Sequence, residues 1–267
     1  MKKFTIQNDE KPLAYLNLFT DFDSKADLLD RILDQITYDP DIGFAGFGHK
    51  EGLREHLKWQ MGEIGHIGII DESKIKVIIE KTIKKCLSVV NTTKPVHIFV
   101  FPTFSEFVRE KMNGVTGYSP WRNTILVYVN PVQGWYTQIT GTICHEFVHA
   151  VAQNYNELIT ILDQLIFDGI AEHFSEHVTG NKSMLGAALA EKEAKRIFHE
   201  IHSKLDSDDS PTRKEIFYGA GKYPMWAGYS IGYYIVGSFL KGQDKIDWNN
   251  ILKTSPKNIL EESRFLV

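Results

Sequence analysis

The sequence has 267 residues, which suits one large domain or a catalytic domain with a small N-terminal extension. Hydrophobic residues make up 43% and charged residues 24%, which is the mix of an ordinary globular protein and excludes a disordered chain. The net charge of −4 gives no indication of a concentrated basic surface, so we expect neither nucleic acid nor an anionic membrane as a partner.

The N-terminal stretch and the cysteines bear on the cellular compartment. Residues 1–10 begin with positive charge but have no apolar run behind it, so we predict neither a signal peptide nor a membrane span. The two cysteines, Cys86 and Cys144, are too few for a disulfide framework at this length. Cys144 has two interpretations, a catalytic nucleophile or a small buried core residue, and the second is favoured. We expect a soluble, cytoplasmic protein.

Helical patterns dominate the first 90 residues. Ser24 and Asp27 resemble a capping box, and apolar residues follow them at helical spacing. Residues 38–48 combine proline with three glycines, which predicts a loop. Two further helices are predicted over 51–61 and 73–90. Residues 1–70 are therefore interpreted as an N-terminal helical extension of unknown role, and residues 71–267 as the main domain.

The pattern changes after residue 90. Residues 95–101 and 123–129 are short apolar runs rich in β-branched and aromatic residues, which predicts two strands. A turn-rich segment at 114–120 separates them, and from residue 136 onward the pattern is helix and loop. This order of helices, a few strands and helices predicts an α+β fold, mostly helical, with a small antiparallel or mixed sheet.

The motif with the clearest chemistry is His-Glu-x-x-His at residues 145–149. On a helix, His145 and His149 lie on one face, one turn apart, so both imidazoles can bind one Zn²⁺ from the same side. Glu146 lies beside that face, where a carboxylate can accept a proton from a metal-activated water. The sequence therefore predicts zinc as cofactor, with Glu146 as general base.

The residues around the motif favour this interpretation over an exposed helix with two surface histidines. Ile139, Ile143, Phe147 and Val151 form a stripe that can pack inward. The segment 139–152 has Glu146 as its one acidic or basic residue apart from the histidines. A lone carboxylate in an apolar helix is costly unless it has a partner, so a functional role is expected.

A catalytic zinc needs a third protein ligand and one open position. Glu172 is predicted as that ligand, because it lies close to the buried face of the next helix, which can return antiparallel after a turn near residues 154–156. Asp168 and Glu176 flank it at intervals of four residues. One of them, with Glu176 preferred, is expected to accept the second ring N–H of a ligand histidine, and a solvated helix end is the alternative. His173 and His177 could form a competing metal pair but fit the polar C-terminal end of a helix better.

These segments together resemble a known family. They read CHEFVH at 144–149, LDQLIFDGIAE at 162–172 and GYSIGY at 228–233. The chain is similar over roughly residues 75–262 to predicted zinc-dependent proteases of unknown physiological role, of the gluzincin type with a glutamate third ligand. The resemblance implies a zincin-like metallopeptidase domain that acts on a peptide or protein substrate.

The gluzincin layout implies two further features. An edge strand beside the active-site helix would bind extended peptide, and residues 123–129 are in the right place for it, although an ordinary buried strand is equally consistent. A hydroxyl would stabilise the oxyanion, and Tyr229 or Tyr233 suits that role on a helix where Gly228 and Gly232 predict close packing. The alternative is that both tyrosines pack and hydrogen-bond in the core. The alternative functions are a catalytically silent zinc-containing binding or regulatory protein, and a metal-dependent hydrolase of a non-peptide bond.

Overall fold

The computed structural model describes residues 2–9, 11–20, 25–37, 50–63 and 68–265. The loop predicted at 38–48 lies outside these residues. The chain divides into two compact units, Met1–Val151 and Ala152–Val267. No helix among the described residues combines the length and the apolar character that a membrane span needs.

The first unit contains a five-stranded mixed sheet in the order β1-β2-β3-β5-β4. Its strands are β1 (Lys2–Asn8), β2 (Lys11–Leu18), β3 (Val96–Pro102), β4 (Val115–Tyr118) and β5 (Thr124–Val129). The β2–β3 and β3–β5 pairs are parallel, whereas β1–β2 and β4–β5 are antiparallel. The α+β class and the mixed sheet that the sequence predicts are confirmed.

The two predicted strands form the centre of this sheet. Every residue of β3 and β5 is buried, as expected for parallel strands that are covered on both faces. The predicted N-terminal extension is not purely helical, because β1 and β2 form a hairpin that joins the sheet through β3. The predicted boundary at residue 70 therefore falls inside the first unit, whose sheet contains strands from both sides of it.

Most of the helices described in the first unit lie where the sequence predicts helix, whereas the short helix at Glu106–Lys111 is not predicted. They are α1 (Lys25–Thr37), α2 (Lys50–Met61), α3 (Glu72–Val89), α4 (Glu106–Lys111) and α5 (Trp135–Ala152). Asp71 caps α3 by accepting a hydrogen bond from the backbone N–H of Lys74, which satisfies a donor that the helix leaves open. Apolar residues of α1 and α2 form a core with aromatic side chains of the sheet, among them Phe99, Phe101 and Tyr128.

The described part of the second unit contains only helices and loops. Its helices are α6 (Ile161–Thr179), α7 (Glu191–Ile201), α8 (Ser210–Tyr218), α9 (Ala227–Lys241), α10 (Trp248–Ile251) and α11 (Pro256–Glu262), with one turn of 3-10 helix at His202–Lys204. A capping box between Thr160 and Asp163 starts α6. Gly180 ends it at φ 76°, in the left-handed conformation that glycine adopts without strain.

Glycines allow α6 and α9 to cross at very short distance. A Cβ atom on Gly232 would lie 1.8 Å from the carbonyl oxygen of Leu165, and one on Gly169 would lie 2.2 Å from the carbonyl oxygen of Gly232. Gly228, one turn earlier on α9, approaches the Phe217 ring in the same way, at 2.6 Å. The prediction that Gly228 and Gly232 permit close packing is confirmed.

Candidate metal centre

The motif lies on α5, in the middle of an apolar helix. The predicted stripe of Ile139, Ile143, Phe147 and Val151 is buried. This packing fixes how α5 is rotated about its axis, so the position of the motif on the helix surface is fixed as well. The histidines are half-buried, and Glu146 is buried with 7% of its surface exposed.

The two histidines bring their ring nitrogens together. The Nε2 atoms of His145 and His149 are 2.9 Å apart, and the rings meet at 65° with their centres 4.6 Å apart. A tetrahedral Zn²⁺ about 2.05 Å from each nitrogen would hold the two nitrogens about 3.3 Å apart. The donor atoms therefore fit a metal of this kind, because a small rotation of either ring gives the required separation.

Glu146 is held by residues from the end of β4. The hydroxyl of Ser119 lies 2.9 Å from the Oε2 atom of Glu146 and 2.8 Å from its backbone oxygen, and can donate to either. Gly117 packs directly on the same side chain, because a Cβ atom there would lie 2.4 Å from Glu146 Cγ and 2.8 Å from Thr142 Cγ2. The carboxylate therefore has little freedom to leave its place beside the histidines.

Of the two interpretations of residues 123–129, the ordinary buried strand is confirmed and the edge strand is wrong. β5 is buried and pairs with β3 on one side and with β4 on the other, so its backbone groups are used on both sides. The strand at this end of the described sheet is β4. Because it has four residues and contains Gly117, its sequence reads as a turn-rich loop.

The cysteine beside the motif is a core residue. Cys144 is fully buried, and its Sγ atom lies 3.7 Å from that of Cys86, which is also buried and in the thiol form. Burial raises the pKa of the Cys86 thiol well above its usual value, and the neighbouring Cys144 raises it further. The burial of Cys144 favours the core interpretation over the nucleophile, since a catalytic thiol needs access to its substrate.

In the second unit, α6 carries the predicted acidic stripe. Asp168 and Glu172 are buried, with 5% and 6% exposed, and they lie one turn apart. The hydroxyl of Ser183 is hydrogen-bonded to the Oε2 atom of Glu172. Buried carboxylates are normally paired with a cation or with hydrogen-bond donors.

Glu176, the third acid of the stripe, contacts α9 and the loop after α6. It accepts hydrogen bonds from the hydroxyl of Tyr233, at 3.0 and 3.2 Å, and from the backbone N–H of Ser183, at 2.7 Å. Its Oε2 atom lies 3.7 Å from Nδ1 of His173. All of these contacts lie within the second unit. The sequence-based role of Glu176, which is to orient a ligand histidine, stays a prediction.

The two predicted oxyanion donors have different surroundings. The ring of Tyr233 stacks on His173, with centres 4.2 Å apart and planes at 8°. Burial raises the pKa of Tyr233 to about 12, and the hydrogen bond to Glu176 contributes. Tyr229 packs edge-on against Phe217 and Trp226. Tyr233 therefore keeps its phenolic proton at neutral pH, and the oxyanion role of either residue stays a prediction.

The histidines of α6 also differ from each other. The His173 ring nitrogen Nε2 lies 2.8 Å from the backbone oxygen of Tyr233, so it donates a hydrogen bond there. Burial lowers the pKa of His173, which favours the neutral ring. His177 is exposed in the last turn, with its ring centre 5.6 Å from that of Trp248. His173 thus packs against Tyr233 of α9, a contact that its position near the end of α6 does not predict.

The structure thus brings His145, Glu146 and His149 together in one unit, and groups Glu172 with Glu176 in the other. Sequence reasoning missed the residues that hold the two acids in place, Ser119 and Ser183. A weak signal exists for Ser183, because a serine soon after a glycine that ends a helix can form a hydrogen bond back to the last turns of that helix. The contact of Ser119 depends on the tertiary position of β4, and local sequence does not encode it.

Comparison with known proteins adds one finding. Residues 75–261, more than half of the chain, match the model of a family described as predicted Zn-dependent protease (DUF2268). The match begins within α3 and extends into α11, so it includes α5, α6 and α9 and leaves β1, β2, α1 and α2 outside. No curated protein matches the chain.

Proposed function

Because the chain belongs to the family of predicted Zn-dependent proteases, we propose that it is a zinc peptidase that hydrolyses peptide bonds with a metal-activated water. The observation that carries the proposal is the arrangement on α5. Two imidazole nitrogens converge at 2.9 Å beside a buried carboxylate that a serine hydroxyl holds in place. This set supplies two metal ligands and a proton acceptor within little more than one helical turn.

The proposed protein ligands are His145, His149 and Glu172. Glu172 is supported by its burial and by the hydrogen bond from Ser183, since a ligating carboxylate is normally hydrogen-bonded as well. Asp168 is the alternative third ligand, because the group of His145, His149 and Asp168 consists of residue types that could hold a metal ion. Glu172→Ala and Asp168→Ala variants separate the two, since the true ligand gives the larger loss of zinc affinity.

Zinc, when bound, acts as a Lewis acid and lowers the pKa of a coordinated water to about 7. Glu146 then accepts the proton of the attacking water and delivers it to the leaving amine. Its confinement between Ser119 and Gly117 keeps the carboxylate in one position through both transfers, which lowers the entropic cost of each.

Two further groups are proposed to contact the substrate. The edge strand β4 pairs with an extended peptide, because backbone groups along a sheet edge bind peptides in this way. Tyr229 or Tyr233 donates a hydrogen bond to the developing oxyanion. The Tyr233 hydroxyl donates to Glu176 in the free protein, so this role requires its single proton to move from Glu176 to the oxyanion when substrate binds.

The test is the Glu146→Gln variant, measured for zinc content and for cleavage of a panel of unstructured peptides. The amide keeps the size of the side chain but cannot accept the proton, so zinc should stay bound while cleavage falls by at least about a hundredfold. Glu157→Gln, which changes an exposed glutamate, is the matched control and should cleave normally.

Retained cleavage in Glu146→Gln would contradict the assigned mechanism. A wild-type protein that binds zinc but cleaves no peptide would contradict the peptidase function itself. Product analysis by mass spectrometry on the same samples shows which bond is broken, so an esterase-like activity would be recognised.

A further inference from the structure

The loop that follows α6 turns back onto the acidic face of that helix. Gly180 reverses the chain direction in the left-handed conformation, and Ser183 follows three residues later. The backbone N–H of Ser183 donates to Oε1 of Glu176 at 2.7 Å, and its hydroxyl is hydrogen-bonded to Glu172. One residue thus contacts two acids that lie one helical turn apart.

The direction of the Ser183 hydroxyl is determined by a second contact. The backbone N–H of Gly186 donates to Oγ of Ser183 at 2.7 Å, so that oxygen accepts from one side. A serine hydroxyl has a single proton to donate. An ionised carboxylate, which is the form that binds a metal, has no proton and can only accept a hydrogen bond. The hydroxyl therefore donates to Oε2 of Glu172, and a hydrogen bond to an ionised group is about twice as strong as a neutral one.

The loop itself is fixed against α9. A Cβ atom on Gly186 would lie 2.5 Å from the Tyr233 ring, so the backbone packs directly on that ring. The Tyr233 hydroxyl in turn donates to Glu176, the acid that Ser183 also contacts through its N–H. Ser183 is therefore held by backbone and ring contacts that do not involve Glu172, which leaves its hydroxyl in a fixed place before any ligand binds.

We propose that Ser183 is a positioning residue that orients the carboxylate of Glu172 for metal binding. The inference rests on the proposed function, because it takes Glu172 as the third zinc ligand. The hydrogen bond from Ser183 to Oε2 restricts the rotation of the carboxylate, and therefore the directions in which Oε1 can face. Preorganised partners of this kind typically change metal affinity by about 10–100-fold when they are removed.

The experiment measures the zinc dissociation constant by competition with a chromophoric chelator on the full chain. Ser183→Ala removes the hydroxyl and is expected to weaken zinc binding by about tenfold. Thr179→Val is the matched control, because Thr179 hydrogen-bonds Ser175 and Asn181 at the same helix end and contacts no carboxylate through those bonds. Its affinity should match that of the wild type. Ser183→Cys, of similar size and a weaker donor, replaces Ser183→Ala should that variant not fold.

A double-mutant cycle with Glu172→Ala separates positioning from a structural role. If Ser183 acts through Glu172, then Ser183→Ala has no further effect once Glu172 is alanine. A loop that merely loosens would weaken zinc binding by the same factor in both backgrounds, and that result would overturn the inference. So would equal affinities of Ser183→Ala and wild type, while the proposed function would stand. A wild type that binds no zinc would overturn both.

Discussion

Replacement of Gly232 by alanine is expected to destabilise the protein, although the same change in an ordinary helix stabilises it. Gly232 lies on α9 where that helix crosses α6, and a Cβ atom there would be 1.8 Å from the carbonyl oxygen of Leu165. Real Cβ contacts are essentially never shorter than 3.0 Å, so this separation must grow from 1.8 Å to 3.0 Å, a shift of 1.2 Å.

Two opposing contributions set the size of the effect. Alanine in place of glycine favours a helix by about 1 kcal/mol. Overpacking costs about 1–3 kcal/mol, and the upper end applies here because the obstructing atoms belong to the backbone of α6 and cannot rotate away. The net expected loss is about 2 kcal/mol in the free energy of unfolding.

Urea unfolding followed by circular dichroism measures this loss. With a slope of about 2 kcal/mol per molar urea, the midpoint should fall by about 1 M. Gly237→Ala, on the same helix, is the control: its Cβ would meet the His173 ring at 3.0 and 3.2 Å, and a side chain can shift by tenths of an ångström. If Gly232→Ala unfolds at the midpoint of the wild type, the close crossing of α6 and α9 is refuted.

Three further predictions concern the first unit. Gly117→Ala should lower peptide cleavage by at least about tenfold with zinc still bound, because the new methyl group displaces the Glu146 side chain; normal kcat would contradict this contact. Ser119→Ala should lower kcat by about tenfold and leave KM nearly unchanged, whereas a loss confined to KM would argue against a role through Glu146. Burial lowers the pKa of His56 to about 4, so the folded state binds fewer protons than the unfolded state, and stability should be lost as the pH falls from 6.5 towards 4. His56→Phe, which keeps a ring against Tyr118, should reduce that loss in urea midpoints at pH 7 and 4.5, and an unchanged loss would contradict the assignment.

Elements with strong local patterns could be predicted from the sequence. The helix α5 follows from its apolar stripe, and the spacing of His145 and His149 then places both rings on one face. The strands β3 and β5 are continuous runs of apolar and β-branched residues, so their bounds can be predicted to within one or two residues. In both cases the signal lies within a single stretch of chain.

Elements that depend on distant partners could not be predicted. β1 has one buried residue, Ile6, and β2 ends on three consecutive buried residues, 16–18, so neither strand shows a clear apolar alternation. β4 has four residues, one of them glycine, and becomes a strand because β5 offers a partner. The order of strands decides that β4 and not β5 lies at the edge, and no local pattern determines that order. The contacts of Ser119 and Ser183 depend on tertiary structure for the same reason.

The most direct test of the central claim is the metal content of protein purified without added metal or chelator. Atomic emission on wild type and on His149→Ala, with zinc offered to both at neutral pH, gives the stoichiometry. The account predicts about one zinc per wild-type chain and a large loss in the variant. A wild-type protein that holds no zinc under these conditions would contradict the metal centre, and the peptidase function with it.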